Sequence, residues 1–210
     1  MASYPFDDNE HFKTFTSHSY SKSPDDDFFK FLAKTYADNH SFMFKMDGKA
    51  CGDNEPTFHK GFYLFIYLVE IRPQRTGGHK NEYLGITNGA DWYQVPGGME
   101  DYNYLYGDCF EITIELTCCK YPEASKLKDE WENNKNALWE FTMAAYQGVH
   151  GFVMDHNGKY LEKASINVIG IDKTIHSNKF GAFWRLLLPG QYTIEVSAEG
   201  YETVTSKVKI

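Results

Sequence analysis

The chain has 210 residues, a net charge of −8 and a pI near 5.5: room for one or two domains with real cores, and the wrong sign of charge for a nucleic-acid partner. No run approaches the ~18 apolar residues of a transmembrane helix. The hydrophobic stretch FYLFIYLVEI at 62–71 stops at ten residues, and the first residues carry neither a basic region nor an apolar core, so no signal peptide is read there.

Residues 1–23 are polar and aromatic without periodicity and read as loop. Ser23-Pro24-Asp25 then opens a helix. Proline suits a first turn, and Asp25, Asp26 and Asp27 complement the helix dipole there. The apolar face runs through Phe28, Leu32 and Tyr36 or through Phe28, Phe31 and Thr35, and the helix fades near Asn39. Residues 41–61 read as loop, and the decamer at 62–71 has strand character and a basic, Gly-containing tail. A Gly-rich turn full of tyrosines follows, then an alternating strand over 109–117. In it Ile112, Ile114 and Leu116 share one face, and Glu111, Thr113 and Glu115 the other. A long helix is expected from Ser125 to about Gln147, with Leu127, Trp131, Leu138, Phe141, Met143 and Ala145 as apolar faces and Gly148 as its stop. From Gly151 the pattern changes to short strands, GFVMD, ASINVIGI, AFWRLLL, QYTIEVSA and TVTSKVKI, separated by turn residues. Closely spaced strands of this kind predict a small antiparallel sandwich.

Several words add up to more than secondary structure. WYQVPGGMEDYNY followed by CFEITIELTCCKYP, with ASYPFDD and PDDDFFKFLAKTYADNH ahead of them, resembles the C-terminal half of the catalytic domain of zinc metallocarboxypeptidases. The resemblance is to the regulatory branch that contains carboxypeptidases M, D, E and N. It implies an α/β fold: part of a carboxypeptidase-type mixed-sheet domain over residues 1–150, then an all-β transthyretin-like sandwich over 151–210. Zinc is the family's cofactor, held by a His-x-x-Glu pair and a later His in a His-Gly-Gly word. On this alignment all three ligands fall upstream of Met1, so the expectation is an N-terminally truncated enzyme whose chain lacks the metal ligands. Residues 62–84 fall outside the resemblance, and deleting them restores the family's run from Lys-Gly into Gly-Ile-Thr-Asn-Gly. They are either a genuine loop insertion or translated intron, which sequencing the transcript decides.

The resemblance also assigns roles. Peptide hydrolysis needs a group that moves protons and groups that hold the substrate terminus. The family's general acid/base maps onto Glu115, with Glu111, on the same strand face, as its decoy. The mobile phenol that hydrogen-bonds the substrate carboxylate maps onto Tyr93, in a loop that Gly97-Gly98 leaves free to move. The acid that selects a basic terminal side chain maps onto Asp7. Glu100 departs from the family, which usually carries Gln there. It is either a second acid facing the pocket or a solvated one. The implied partners are peptide or protein C-termini ending in Arg or Lys. A non-catalytic peptide-binding or structural remnant is the alternative for the chain by itself.

The four cysteines are Cys51, Cys109, Cys118 and Cys119, with no C-x-x-C spacing for a zinc cluster. The resemblance implies a Cys51–Cys118 disulfide and a free Cys119; four reduced buried thiols in a cytosolic protein are the alternative. Asn39-His40-Ser41 is a glycosylation sequon, consistent with the extracellular or secretory location that the family implies.

Overall fold

The computed structural model describes residues 1–8, 20–45, 85–92, 94–117, 119 and 121–210. The segment 62–84, Tyr93, Cys51 and Cys118 lie outside the described residues. Strand β1 (Ala2–Tyr4) is the centre of a three-stranded mixed sheet. It runs parallel to β2 (Ile86–Asn88) and antiparallel to β3 (Thr113–Ile114). Every residue of β1 and β2 is buried, the signature of strands covered on both faces. β3 is much shorter than the expected 109–117 strand, because Phe110 leaves the ladder to pack against Phe28, Phe29 and Tyr104. Ile112 is buried and Ile114 packs on the core, whereas Leu116, expected on the same face, is exposed.

Helix α1 (Asp26–Asn39) realises the Phe28, Leu32, Tyr36 spacing; all three are buried, and Phe31 and Thr35 are only half so. Its acids do more than complement the dipole. Asp26 is buried and paired with Lys30 at 2.8 Å, and buried Asp25 faces the β region.

The expected Gly-rich turn holds two helices, α2 (Gly89–Trp92) and α3 (Met99–Gly107). α3 escapes a periodicity scan because its pattern is inverted. It buries Glu100, Asp101 and Tyr104 and exposes Met99, Tyr102, Leu105 and Tyr106.

Helix α4 (Leu127–Met143) ends in a 3-10 turn, Ala144–Tyr146, close to the expected Gln147. Its faces follow the reading only in part: Leu138 and Phe141 pack on the core as expected. Leu127, Trp131 and Met143 are exposed, and the buried positions are Asn134 and Ala137. Small side chains at Ala33, Ala37 and Ala137 let α1 and α4 approach closely, and the Tyr36 hydroxyl donates to Asn134 Oδ1 at 2.5 Å across the seam.

The β region holds a two-stranded sheet and a four-stranded sheet. β4 (Gly148–Phe152) pairs with β7 (Ala182–Leu186). The larger sheet has the order β6-β5-β8-β9, formed by β5 (Ser165–Val168), β6 (Thr174–His176), β8 (Gln191–Ser197) and β9 (Val204–Lys209). Gly148 begins β4 as well as stopping the helix: at φ +132°, a Cβ there would lie 2.3 Å from the Arg185 carbonyl oxygen. Ile166, Val168, Ile175, Leu187 and Ile194 form the core of this region.

Charged groups join the two regions. Arg185, fully buried, donates to Asp25 Oδ1 at 2.7 Å, and Asp25 Oδ2 accepts from the Tyr104 hydroxyl at 2.8 Å. Lys173 donates to Asp108 and to the Leu105 carbonyl, so the end of α3 is tied to the start of β6.

Candidate active site

β1 delivers the chain into Pro5-Phe6-Asp7, and α3 receives it. The Asp7 amide donates to both carboxylate oxygens of Asp101 at 3.0 and 3.1 Å, and the Asp8 amide donates to Oδ2 at 3.1 Å. The Asp7 carbonyl accepts from the Val95 amide at 3.0 Å and the Phe6 carbonyl from the Ala90 amide at 2.9 Å. Asn88 braces the same corner. Its side-chain amide donates to the Ser21 carbonyl, and its oxygen accepts from the Asp91 amide at the start of α2. The backbone of Asp7 is therefore held from several directions before its side chain does anything.

That side chain lies against two glycines. A Cβ built on Gly89 would fall 1.5 Å from Asp7 Oδ1, so only glycine is accommodated there; one on Gly98 would sit 3.5 Å from Oδ2. Half-buried and beside Asp101, the Asp7 carboxyl is pushed up to about 6, first by burial and second by Asp101.

Glu100 lies one residue before Asp101 on α3 and is 3% exposed, so it is not a solvated acid. Its Oε2 accepts from the Thr113 hydroxyl at 2.5 Å, while Oε1 is buried with no hydrogen-bond partner among the described residues. Burial pushes the Glu100 carboxyl up to about 8; Thr113 opposes the shift, and Asp7 and Asp101 add to it.

Glu115 follows two residues after Thr113 and is exposed. Met1 and Glu115 exchange both backbone hydrogen bonds at 2.9 Å, continuing the β1–β3 ladder by one pair. Strand alternation then puts the Glu115 side chain on the same face as Thr113, the residue that bonds Glu100. Glu111, on that face too, is half-buried and accepts a hydrogen bond from Asn103.

The sequence profile described as zinc carboxypeptidase matches residues 1–137. This chain belongs to the zinc carboxypeptidase family. It is a hydrolase by family, with an α/β carboxypeptidase portion, and the carboxypeptidase regulatory-like domain profile matches residues 148–210. Carboxypeptidase D of Rattus norvegicus is 44% identical over 206 residues, 98% of this chain and 13% of that protein. Carboxypeptidase D of Drosophila melanogaster is 40% identical over 204 residues, 97% of this chain and 12% of that protein. The carboxypeptidase N catalytic chain of Rattus norvegicus is 39% identical over 212 residues, 100% of this chain and 40% of that protein. The chain thus spans well under half the length of the curated relatives it matches.

Zinc is the metal of the family, and the described residues do not fit it: no three His, Cys, Asp or Glu side chains among them converge to hold an ion. Asp101 spends both oxygens on backbone amides, and among the described residues no histidine bonds to Asp7, Glu100 or Asp101. No helix among the described residues is long and apolar enough to cross a membrane.

Of the residues singled out in the sequence, Asp7 and Glu100 come together, Glu115 sits on the strand that Glu100 touches, and Tyr93 lies outside the described residues. Cys109 is exposed and Cys119 half-buried; both are free thiols. Asn39 is exposed at the last residue of α1, its amide donating to the Thr35 carbonyl at 2.9 Å. Sequence reasoning missed Asp101, Thr113 and Asn88, which position rather than react. The one signal for Asp101 is an acid in a first turn after Gly-Gly, where it reads as a dipole partner.

Proposed function

We propose that this chain carries the side-chain pocket and the proton-transfer carboxylate of a carboxypeptidase that removes C-terminal Arg or Lys from peptides and proteins. Asp7 pairs with the cationic side chain, Glu100 is a second acid beside it, Tyr93 hydrogen-bonds the terminal carboxylate, and Glu115 moves a proton between the attacking water and the leaving amine. The observation that carries the reading is the Asp7–Glu100 corner. Two carboxyls pushed upward by burial, with no ion pair among the described residues, are matched best by a cation. An exposed carboxylate on the adjoining strand suits a group that must trade protons with water.

On this reading the residues that hold zinc are not among the described ones, and the 210-residue chain alone binds such termini without cleaving them. Further parts of the reading are a division at 1–150 and 151–210, a secretory or extracellular location, a Cys51–Cys118 disulfide and a glycan on Asn39. Non-reducing peptide mapping tests the disulfide, and a mobility shift on deglycosylation tests the glycan.

The central test is release of C-terminal arginine from a short peptide by the purified chain, with zinc supplied and a chelator control. No chelator-sensitive release is expected. Zinc-dependent turnover would overturn the inactivity of the isolated chain.

A further inference from the structure

The Asp7–Glu100 corner has an unusual charge arithmetic. Facing Glu100 are Asp7 from the loop after β1, Asp101 from its own helix, and the neutral Thr113 on β3. None of the three acids is ion-paired among the described residues. Asp101 is committed, since its oxygens hold the amides of Asp7 and Asp8. Glu100 is not, because Oε1 is buried at a 3% exposed residue and has no hydrogen-bond partner among the described residues. A buried carboxylate oxygen without a donor, next to another carboxylate, is a costly arrangement. A proton on Glu100 relieves it when nothing is bound, and a cation beside the carboxylate relieves it when a ligand is.

We propose that Asp7 and Glu100 form a proton-linked receptor for a guanidinium or ammonium group, in which Glu100 waits as the neutral acid and the arriving cation displaces its proton to solvent. This rests on the reading of Asp7 as the acid of the side-chain pocket. The balance is simple: protonated Glu100 plus cation gives a Glu100 carboxylate–cation pair plus one free proton. The empty pocket then avoids a second unpaired anion beside Asp7, and the filled pocket gains a second countercharge. A Gln at this position would supply a fixed dipole in both states and no such linkage. Discrimination between a cationic side chain and its neutral isostere therefore grows with pH. Burial supports the same assignment, since Glu100 is pushed up to about 8 and Asp7 only to about 6, so at neutral pH Asp7 is mainly charged and Glu100 mainly protonated.

The test uses the full 210-residue chain with L-arginine and its neutral isostere L-citrulline. Calorimetric titration at pH 7 in two buffers of different ionisation heat reads the protons released on binding. Close to one proton per arginine is expected, and none for citrulline. Arginine affinity should rise by up to about tenfold per pH unit from pH ~6 to ~8 and then level off. E100Q should bind arginine with little release and a flat pH profile, and D7N should no longer prefer arginine to citrulline. Arginine binding that is pH-independent and releases no proton overturns the linkage while leaving Asp7 in its role. Arginine bound no tighter than citrulline overturns both readings. A second measurement reads the proton directly: the infrared carbonyl band of a protonated carboxylic acid should be present at pH 7 without ligand, disappear in E100Q, and be bleached when arginine is added to the parent chain. Absence of that band in the parent chain sinks the proposal.

Discussion

Both regions of this chain have an apolar core, and they differ in the acids buried beside it. In the β region the interior is aliphatic: Ile166, Val168, Ile175, Leu187 and Ile194 pack together. In the carboxypeptidase portion the buried set includes Asp25, Asp26, Glu100, Asp101 and Asn134, while Trp131, Trp139, Tyr102 and Tyr106 are exposed. An aliphatic interior stabilises in proportion to area and asks nothing of pH. A carboxylate interior stabilises only where each oxygen has a partner, and it ties the fold to protonation. The comparison teaches where function is built. The region that buries acids beside its apolar core is the one that holds the candidate site.

The comparison breaks most severely at the joint. Arg185 reaches from the β region to Asp25 in the other, and Asp25 also holds the Tyr104 hydroxyl. Replacing Arg185 with Met leaves Asp25 buried and without its countercharge. The expected cost is about 3–5 kcal/mol, read as a lower urea midpoint. Adding D25N should recover much of that loss, because the stranded charge is then gone. A small loss in R185M, with no recovery in the double variant, would mean that the buried pair does not join the regions energetically.

How much of this was legible in the sequence follows the same division. Alternation and turn residues mark β5, β7, β8 and β9 inside the expected strand segments, because a half-buried strand writes its period locally. β6 escapes: Thr174–His176 is too short to show a period. Helix α1 is legible from its start signal and apolar spacing, while α3 is not, since acids occupy its buried face. For the site, resemblance to a family supplies Asp7, Glu100, Glu115 and Tyr93. Asp101 and Thr113 do not emerge. Asp101 acts on an amide 94 positions away, and Thr113 meets Glu100 across 13 positions. Neither separation has a local pattern. Burial of Glu100 was undecidable from its neighbours, because an acid in a first helical turn is ordinarily at the surface.

Glu100 gives the middle-sized effect and sharpens the contrast through pH. Its folded pKa, near 8, lies above the ordinary carboxylate value, so the folded state holds the proton more tightly than the unfolded state. Stability is therefore full below about pH 4.5 as far as this group is concerned and is lost as pH rises toward about 8. E100Q removes the titration. Relative to the parent chain it should gain on the order of 2 kcal/mol between pH ~5 and ~8, measured as the difference in urea midpoints at the two pH values. A gap that is constant over that range would mean that Glu100 is already ionised in the folded chain.

The smallest effect belongs to the β region and supplies the control for the one above. Asn178 Oδ1 accepts from the Phe180 amide at 2.9 Å and from the Ala182 amide at 3.1 Å, closing the turn into β7. Asn178→Ala removes that acceptor and should cost about 1 kcal/mol. The groups involved do not titrate, so the cost should be the same at pH ~5 and ~8, opposite to the behaviour expected of E100Q. Measuring both variants in the same urea series separates a local turn, which acts alike at every pH, from a buried acid, which does not. If the Asn178→Ala cost instead varied with pH as much as the E100Q gain, the turn would be coupled to Glu100 across the two regions. The division between a supporting region and a site-bearing region would then be one of chemistry and not of energy.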